Sequence, residues 1–279
     1  MEIAAFVDQY ELAAGLYGIG AEEMRRRDQG NNSVRRWLAI RNGNAVGAVT
    51  ARLRPDNRMF VTFVVRELSA YGPLTETAAA AAGRTLYTTV DEDDRPKVIA
   101  LTAAGFAREF VAERFRIRFD TALARLSRAW VPSGLSIHTA DSVDQRRLFT
   151  LDNTIRHDIP GTDGWRGDRE WFRDELTESP PFDASAYLVA VDNRNGEYVG
   201  LVRIWRNPTG PRFGLVGVIR QYRDIPIAAA LLKHALTAAS EWGHPTFTTE
   251  TSRGNKVIYP RLKRLDAEHL GQLLRLIRR

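Results

Sequence analysis

Two stretches of this chain carry residue types and spacings that could do chemistry. The first reads Val218-Ile219-Arg220-Gln221-Tyr222-Arg223-Asp224-Ile225-Pro226-Ile227-Ala228 and runs on into Ala229-Ala230-Leu231-Leu232. An apolar β-branched run yields to charged residues and then to an alanine- and leucine-rich run, the pattern of a strand turning into a helix. The mouth of such a helix exposes unpaired N–H groups and the positive end of the peptide dipole, so it can hold an anion. Pro226 removes one of those donors at a place where proline is tolerated. Asp224 would repel an anion unless its carboxylate turns away to cap the helix. The second stretch centres on Glu250, at the end of the strand-like run Thr246–Thr251. A base that removes a proton from an ammonium needs a pKa near the working pH, and burial at a strand end would raise a carboxylate toward it. A solvated glutamate is the other reading of that position.

Between Asp152 and Asp183 nine acidic residues stand against Arg156, Arg166, Arg169 and Arg173. A surface dominated by one sign of charge attracts the other. Asp152, Asp158 and the nearby Trp165 are therefore candidates for holding a cationic small molecule, with His157 a weaker one. The same composition also describes a solvated helical face with internal ion pairs. The five histidines show no H-x-x-x-H spacing and there are no cysteines, so no metal site is expected, and disulfides and a cysteine nucleophile are excluded.

These residues need elements to position them. At 279 residues the chain exceeds a typical domain of about 100–150, and an internal repeat accounts for the length. Trp37–Leu53 and Tyr187–Ile204 both read as strand, polar Asn/Gly turn, strand, with a glycine in the second strand, Gly47 and Gly200. A third strand follows each, Met59–Val65 and Phe213–Ile219. Each trio then enters an alanine-rich helix, Thr75–Ala82 and Ile227–Trp242, closed by Gly83 or Gly243 and a further strand carrying Thr88/Thr89 or Thr248/Thr249. Trp130–Gly134 reads as a linker, Leu135–Thr139 as a strand, and Asp141 or Ser142 as the cap of the next helix.

Taken in order, strand, helices, three-stranded meander, helix, parallel strand and helix resemble the GCN5-related N-acetyltransferase (GNAT) superfamily, from about Leu135 to Ile277. Arg223 and Ala228 match the first and last positions of its R/Q-x-x-G-x-G/A turn, and Pro226 replaces the middle glycine. The resemblance implies a mixed α/β fold in two tandem domains, 1–130 and 131–279, each a mostly antiparallel twisted sheet with flanking helices. It implies acetyl-CoA as donor, with the diphosphate at Arg223, Asp224, Ile225, Pro226, Ile227 and Ala228 and the pantetheine arm along the backbone of Val218 and Ile219. Asn255 falls where the family places a cofactor-contacting asparagine. The family's tyrosine acid falls on Leu262, which leaves Tyr259, one turn earlier, as the candidate proton donor or as a packing residue.

The N-terminal copy departs further. Its turn, Ser69-Ala70-Tyr71-Gly72-Pro73-Leu74, lacks the arginine and the terminal small residue, and Asp91 to Asp94 would repel a nucleotide. It is expected to be a structural unit without a donor site. The function implied for the C-terminal copy is direct transfer of an acetyl group to a small cationic amine such as an antibiotic, a polyamine or a similar metabolite. The alternatives are a weakly catalytic acyl-CoA sensor and an aminoacyl transferase of tandem GNAT form. The tandem arrangement is also similar to mycothiol synthase and to actinobacterial antibiotic acetyltransferases, which identifies no acceptor. The net charge of +6 comes from arginines scattered among acids, and no basic–aromatic pattern for RNA is present, so neither nucleic acid nor membrane is an expected partner. Met1–Val7 shows no basic, apolar leader pattern, so the reading is a cytoplasmic monomer or homodimer.

Overall fold

The computed structural model describes residues 1–28, 34–54, 56–159, 162, 165–177 and 181–279, and the chain gathers into two compact units. Unit 1 is Met1–Ala112 with Gly271–Arg279, and unit 2 is Glu113–Leu270. The repeat boundary read at 130/131 falls inside unit 2. The repeat marks where a pattern recurs, whereas the units mark where contacts are dense.

Unit 1 holds β1 (Glu2–Ala5), α1 (Tyr10–Tyr17), α2 (Ala21–Asp28), β2 (Val34–Arg41), β3 (Asn44–Leu53), β4 (Met59–Val65), α3 (Tyr71–Ala82), β5 (Leu86–Asp91), α4 (Arg95–Ala103) and the first half of β6 (Ala107–Arg118). Strands β1 to β4 pair antiparallel in succession, β4 runs parallel to β5, and β5 pairs antiparallel with β12 (Glu268–Arg278), the last strand of the chain. The β2–β3 hairpin turns at Asn42-Gly43, both left-handed at φ 51° and 75°, the two-residue turn whose twist matches the strands.

Unit 2 holds the second half of β6, then α5 (Phe119–Arg125), β7 (Leu135–Thr139), α6 (Gln145–His157), α7 (Arg169–Thr177), β8 (Tyr187–Asp192), β9 (Tyr198–Asn207), β10 (Gly210–Val218), α8 (Ile227–Ser240), β11 (Thr246–Thr251) and α9 (Ile258–Arg264). Its strands lie in the order β6-β11-β10-β9-β8-β7, with β10 and β11 the parallel pair. Helix α8 buries Ile227, Ala230, Leu231, Ala235, Leu236 and Ala239 on one stripe spaced three and four apart.

 Ala239 closes that stripe at the far end of the helix.

The glycines that match across the repeat explain how each helix reaches its sheet. A Cβ on Gly47 would stand 3.1 Å from the Ala70 Cβ and 3.2 Å from Leu74 Cδ1, and one on Gly200 would stand 3.1 Å from the Gly217 carbonyl and 3.3 Å from Leu231 Cδ1. Only a bare Cα lets Leu74 and Leu231, both fully buried, seat on the strands.

Three details differ from the sequence reading. Asp141 and Ser142 sit in a short 3-10 turn, Ala140–Ser142, and the cap of α6 is Asp144, whose carboxylate accepts from the Arg147 N–H at 2.9 Å. The helical piece expected around Trp165–Leu176 begins only at Arg169. The sequence reading gives no element for β6 or β12: in β6 a buried acid, Glu113, takes an inward position, and in β12 the left-handed Gly271 interrupts the run.

Candidate active site

In unit 2 the parallel pair β10 and β11 meets at Arg212 and Thr248, and no further register pair continues toward Val218 and Thr251. On its other side β10 stays paired with β9 up to Val218 and Gly200. A bulge at Gly214 helps set this geometry, since a Cβ there would lie 2.7 Å from Trp205 Nε1. One edge of β10 is thus open beside β11. The Ile219 N–H donates to the Val199 carbonyl at 2.9 Å, so by strand alternation the polar backbone of Val218 faces the open side. Of the two residues expected to offer backbone groups to a ligand, Val218 turns its N–H toward the β11 side and Ile219 turns its N–H toward β9.

The open edge leads into the turn between β10 and α8. Tyr222 is buried there, and its hydroxyl donates to Asp192 Oδ2 at 2.7 Å. Asp192, fully buried at the end of β8, also accepts from the Arg194 backbone N–H at 2.9 Å and from its Nε and Nη2 at 3.0 and 2.6 Å. These donors, the Arg194 guanidinium first and Tyr222 next, hold the Asp192 carboxyl well below the usual carboxylate range. The same contact with Asp192, followed by burial, pushes the Tyr222 phenol up. The β8–β9 hairpin therefore clamps the start of the turn. Asp192 was not singled out in the sequence; its signal is an acid closing an apolar strand just before Asn193-Arg194-Asn195-Gly196.

Arg223 folds back over the turn. Its Nε donates to the Val218 carbonyl at 3.1 Å, and its Nη2 pairs with Asp158 at the end of α6. Within the turn, Ile225 N–H donates to Tyr222 O at 3.1 Å, Ile227 N–H to Ile225 O at 2.8 Å and Ala229 N–H to Pro226 O at 3.2 Å. Among the described residues, the N–H groups of Asp224 and Ala228 have no backbone acceptor. Pro226 is the cap residue of α8, and no side chain caps that helix. Asp224 is exposed and does not take the capping role that its sequence position allowed.

The remaining expected residues are distributed as follows. Asp152 and Trp165 are each 1% exposed. Asp152 pairs with Arg156, whose guanidinium lies 4.4 Å from the Trp165 ring, and Trp165 Nε1 donates to Asn153 Oδ1 at 2.9 Å. They shape the segment after α6 from inside. Asp168 caps α7 through the Trp171 N–H, and Asp163 and Glu178 lie outside the described residues. Glu250 is exposed on β11, the solvated of its two readings. Asn255 Oδ1 accepts from the N–H groups of Val257 and Ile258 at 3.3 and 3.0 Å, fastening the start of α9. Tyr259, half-buried on α9, packs edge to face on Phe115 at 6.0 Å. Among the described residues no three His, Asp or Glu side chains gather as metal ligands, and no helix is long and apolar enough to cross a membrane.

Comparison with known proteins gives these features a frame. Residues 152–259 match the acetyltransferase (GNAT) family, a span that holds the open edge, the turn, Asn255 and Tyr259. No curated protein matches the chain. Among solved structures, a GCN5-related N-acetyltransferase from Sphaerobacter thermophilus aligns with a TM-score of 0.64 at 17% identity, over 96% of this chain and 90% of that one. A tandem GNAT protein from the clavulanic acid biosynthesis pathway aligns with a TM-score of 0.64 at 16% identity, over 88% and 82%. A GCN5-related N-acetyltransferase from Kribbella flavida aligns at 0.56 and 13%, over 82% and 86%. At these identities the likeness is one of fold, and it extends over most of the chain.

Proposed function

The chain carries a GNAT acetyltransferase domain and is an acyltransferase, and on that premise we propose that unit 2 moves an acetyl group from acetyl-CoA to the amine of a small cationic acceptor. The observation that carries the reading is the open edge of β10 running into a helix mouth with two uncommitted amides, Asp224 and Ala228. An extended amide-bearing arm can pair with backbone groups such as those of Val218, and a diphosphate suits N–H groups at a helix start. The residues present fit a donor of this class, with Pro226 supplying shape and no hydrogen bond.

The donor supplies an activated acyl carbon; the protein's part is orientation and proton management. Val218 would align the arm and Ala228 the diphosphate, while the Asp192–Tyr222 contact keeps the turn rigid. Arg223, 44% exposed at its side chain and tied to Asp158, would exchange that partner for a phosphate oxygen, the stronger bidentate acceptor. Asp158, so released, and the exposed Glu250 supply negative charge for a cationic acceptor. Tyr259 is the hydroxyl available to return a proton to the leaving thiolate.

Thiol release from acetyl-CoA with a panel of amines tests this reading. Turnover with polyamines or aminoglycoside-like amines is expected. A preference for neutral or acidic amines overturns the acceptor class. Calorimetric binding of acetyl-CoA without thiol release for any amine overturns transfer in favour of an acyl-CoA sensor, and retention of charged tRNA would favour an aminoacyl transferase.

A further inference from the structure

Glu113, on β6, is a buried carboxylate that the account so far does not use. It is 1% exposed, and such a group is costly to bury unless it is paired. His269 Nε2 lies 2.6 Å from its Oε2, and Arg253 Nε binds its Oε1. Burial alone would push the Glu113 carboxyl up; the hydrogen bonds from His269 and Arg253, with their charge, outweigh it and hold the carboxyl below its ordinary range. An ionised carboxylate accepts only, so it fixes the proton of His269 on Nε2 and leaves Nδ1 as the nitrogen with a lone pair. The imidazole is 48% exposed while its carboxylate partner is 1% exposed at the side chain, so the ring is held from within and open outward.

The place of this pair in the fold gives it a reason. Glu113 is the register partner of Thr251, the last residue of β11, so it stands at the end of β11 beyond the point where pairing with β10 has ceased. Arg253 follows two residues later, on the way to Asn255. The Phe115 ring lies 5.3 Å from His269 and 6.0 Å from Tyr259, so the imidazole and the phenol both pack on it. The groups facing His269 are thus Glu113 and Phe115 from β6 and, around them, Arg253 and Tyr259; on its own strand the neighbouring Glu268 is paired with Arg116. A carboxylate-held imidazole and a tyrosine hydroxyl flank one aromatic ring at the open end of the parallel pair.

We propose that His269, oriented by Glu113, is the general base that takes a proton from the acceptor ammonium; this rests on the acyl-transfer reading above. Nδ1 accepts one ammonium proton, the freed nitrogen forms the bond to the acyl carbon, and the carbon–sulfur bond breaks. The second nitrogen proton is lost as the amide forms and balances the one taken up by the leaving thiolate, while the imidazolium returns its proton to solvent. His269 is the catalytic residue and Glu113 a positioning residue.

The test uses the full chain: kcat/KM for thiol release against pH for the wild type, His269→Ala and Glu113→Gln, with calorimetry of acetyl-CoA binding to each. The wild type is expected to show one acidic limb. His269→Ala is expected to lose roughly 100-fold or more, lose that limb, regain part of the rate with added imidazole, and bind acetyl-CoA as the wild type does. Glu113→Gln is expected to lower kcat about tenfold while KM for acetyl-CoA and acetyl-CoA binding stay as in the wild type, and Glu113→Asp is expected to recover part of that loss. A His269→Ala chain that binds acetyl-CoA and keeps the wild-type pH profile overturns this inference alone. A wild type that binds acetyl-CoA but releases no thiol overturns the acyl-transfer reading and this inference with it.

Discussion

The two units build the same meander, the same glycine-seated helix and the same parallel pair, yet they treat the turn before the helix differently. In unit 1 the short 3-10 turn Leu68–Ala70 passes straight into α3 at Tyr71. In unit 2 the matching 3-10 turn, Arg220–Tyr222, is followed by Arg223 to Pro226 before α8 begins at Ile227. Those four residues hold the amide of Asp224, the guanidinium of Arg223 and the approach to Ala228. Unit 1 has no corresponding stretch. Its tyrosine at the helix start turns inward, 5.1 Å from Phe63, which lies 6.4 Å from Phe106, so apolar rings occupy the region beside its own parallel pair. A few residues at one helix mouth separate a packed turn from one able to receive an anion.

The comparison can be broken first at the two helix mouths. Ala228→Asp puts a carboxylate where the diphosphate is proposed to sit, and a fall in acetyl-CoA affinity of roughly 100-fold or more is expected. Gly72→Asp makes the same change in the first turn of α3, where a carboxylate suits the helix dipole, and donor affinity is expected to be unchanged. Equal effects in the two variants, measured by calorimetry, would erase the distinction between the units.

A smaller effect is expected from Tyr222→Phe. It removes one donor from buried Asp192 and loosens the clamp on the turn, and a rise of about tenfold in the acetyl-CoA dissociation constant is expected. Tyr71→Phe at the other helix start is expected to leave donor binding as it was.

The smallest effects are in the pH dependence of melting, and they fall on opposite sides for the two units. Asp192 is held below its ordinary range when folded, so the unfolded chain binds more protons in acid. Its contribution is present above the unfolded carboxylate pKa and is lost as pH falls through the folded value; Asp192→Asn is expected to flatten that acid limb. Tyr71 behaves oppositely, since burial and then Asp94 push its phenol up to about 12 from 10.0. Its contribution is whole below pH 10.0 and is lost as pH rises toward about 12, so Tyr71→Phe is expected to soften the alkaline limb. Differential scanning across both windows reads these shifts.

Much of the fold was legible because the repeat supplies its own control. Gly47 and Gly200 mark the same close approach, and Thr88/Thr89 with Thr248/Thr249 mark the same parallel strand. The turn was legible too, since a strand, a charged break and an alanine-rich run are local patterns. What escaped is non-local. Glu113 meets His269 across 156 residues, and no spacing rule reaches that far. The acids from Asp152 to Asp183 look in sequence like an open negative surface, but Asp152 turns inward to Arg156 and Asp158 reaches Arg223, and composition does not encode partners. For Glu250 the sequence leaves a buried and a solvated strand end open, and the alternation of the strand places that residue outside.

The central claim is that the mouth of α8, and not that of α3, receives the donor. Titration of the full chain with acetyl-CoA by calorimetry tests it most directly. One binding site per chain, abolished by Ala228→Asp and preserved in Gly72→Asp, is the predicted result. Two sites per chain, or a single site that survives Ala228→Asp, would contradict it.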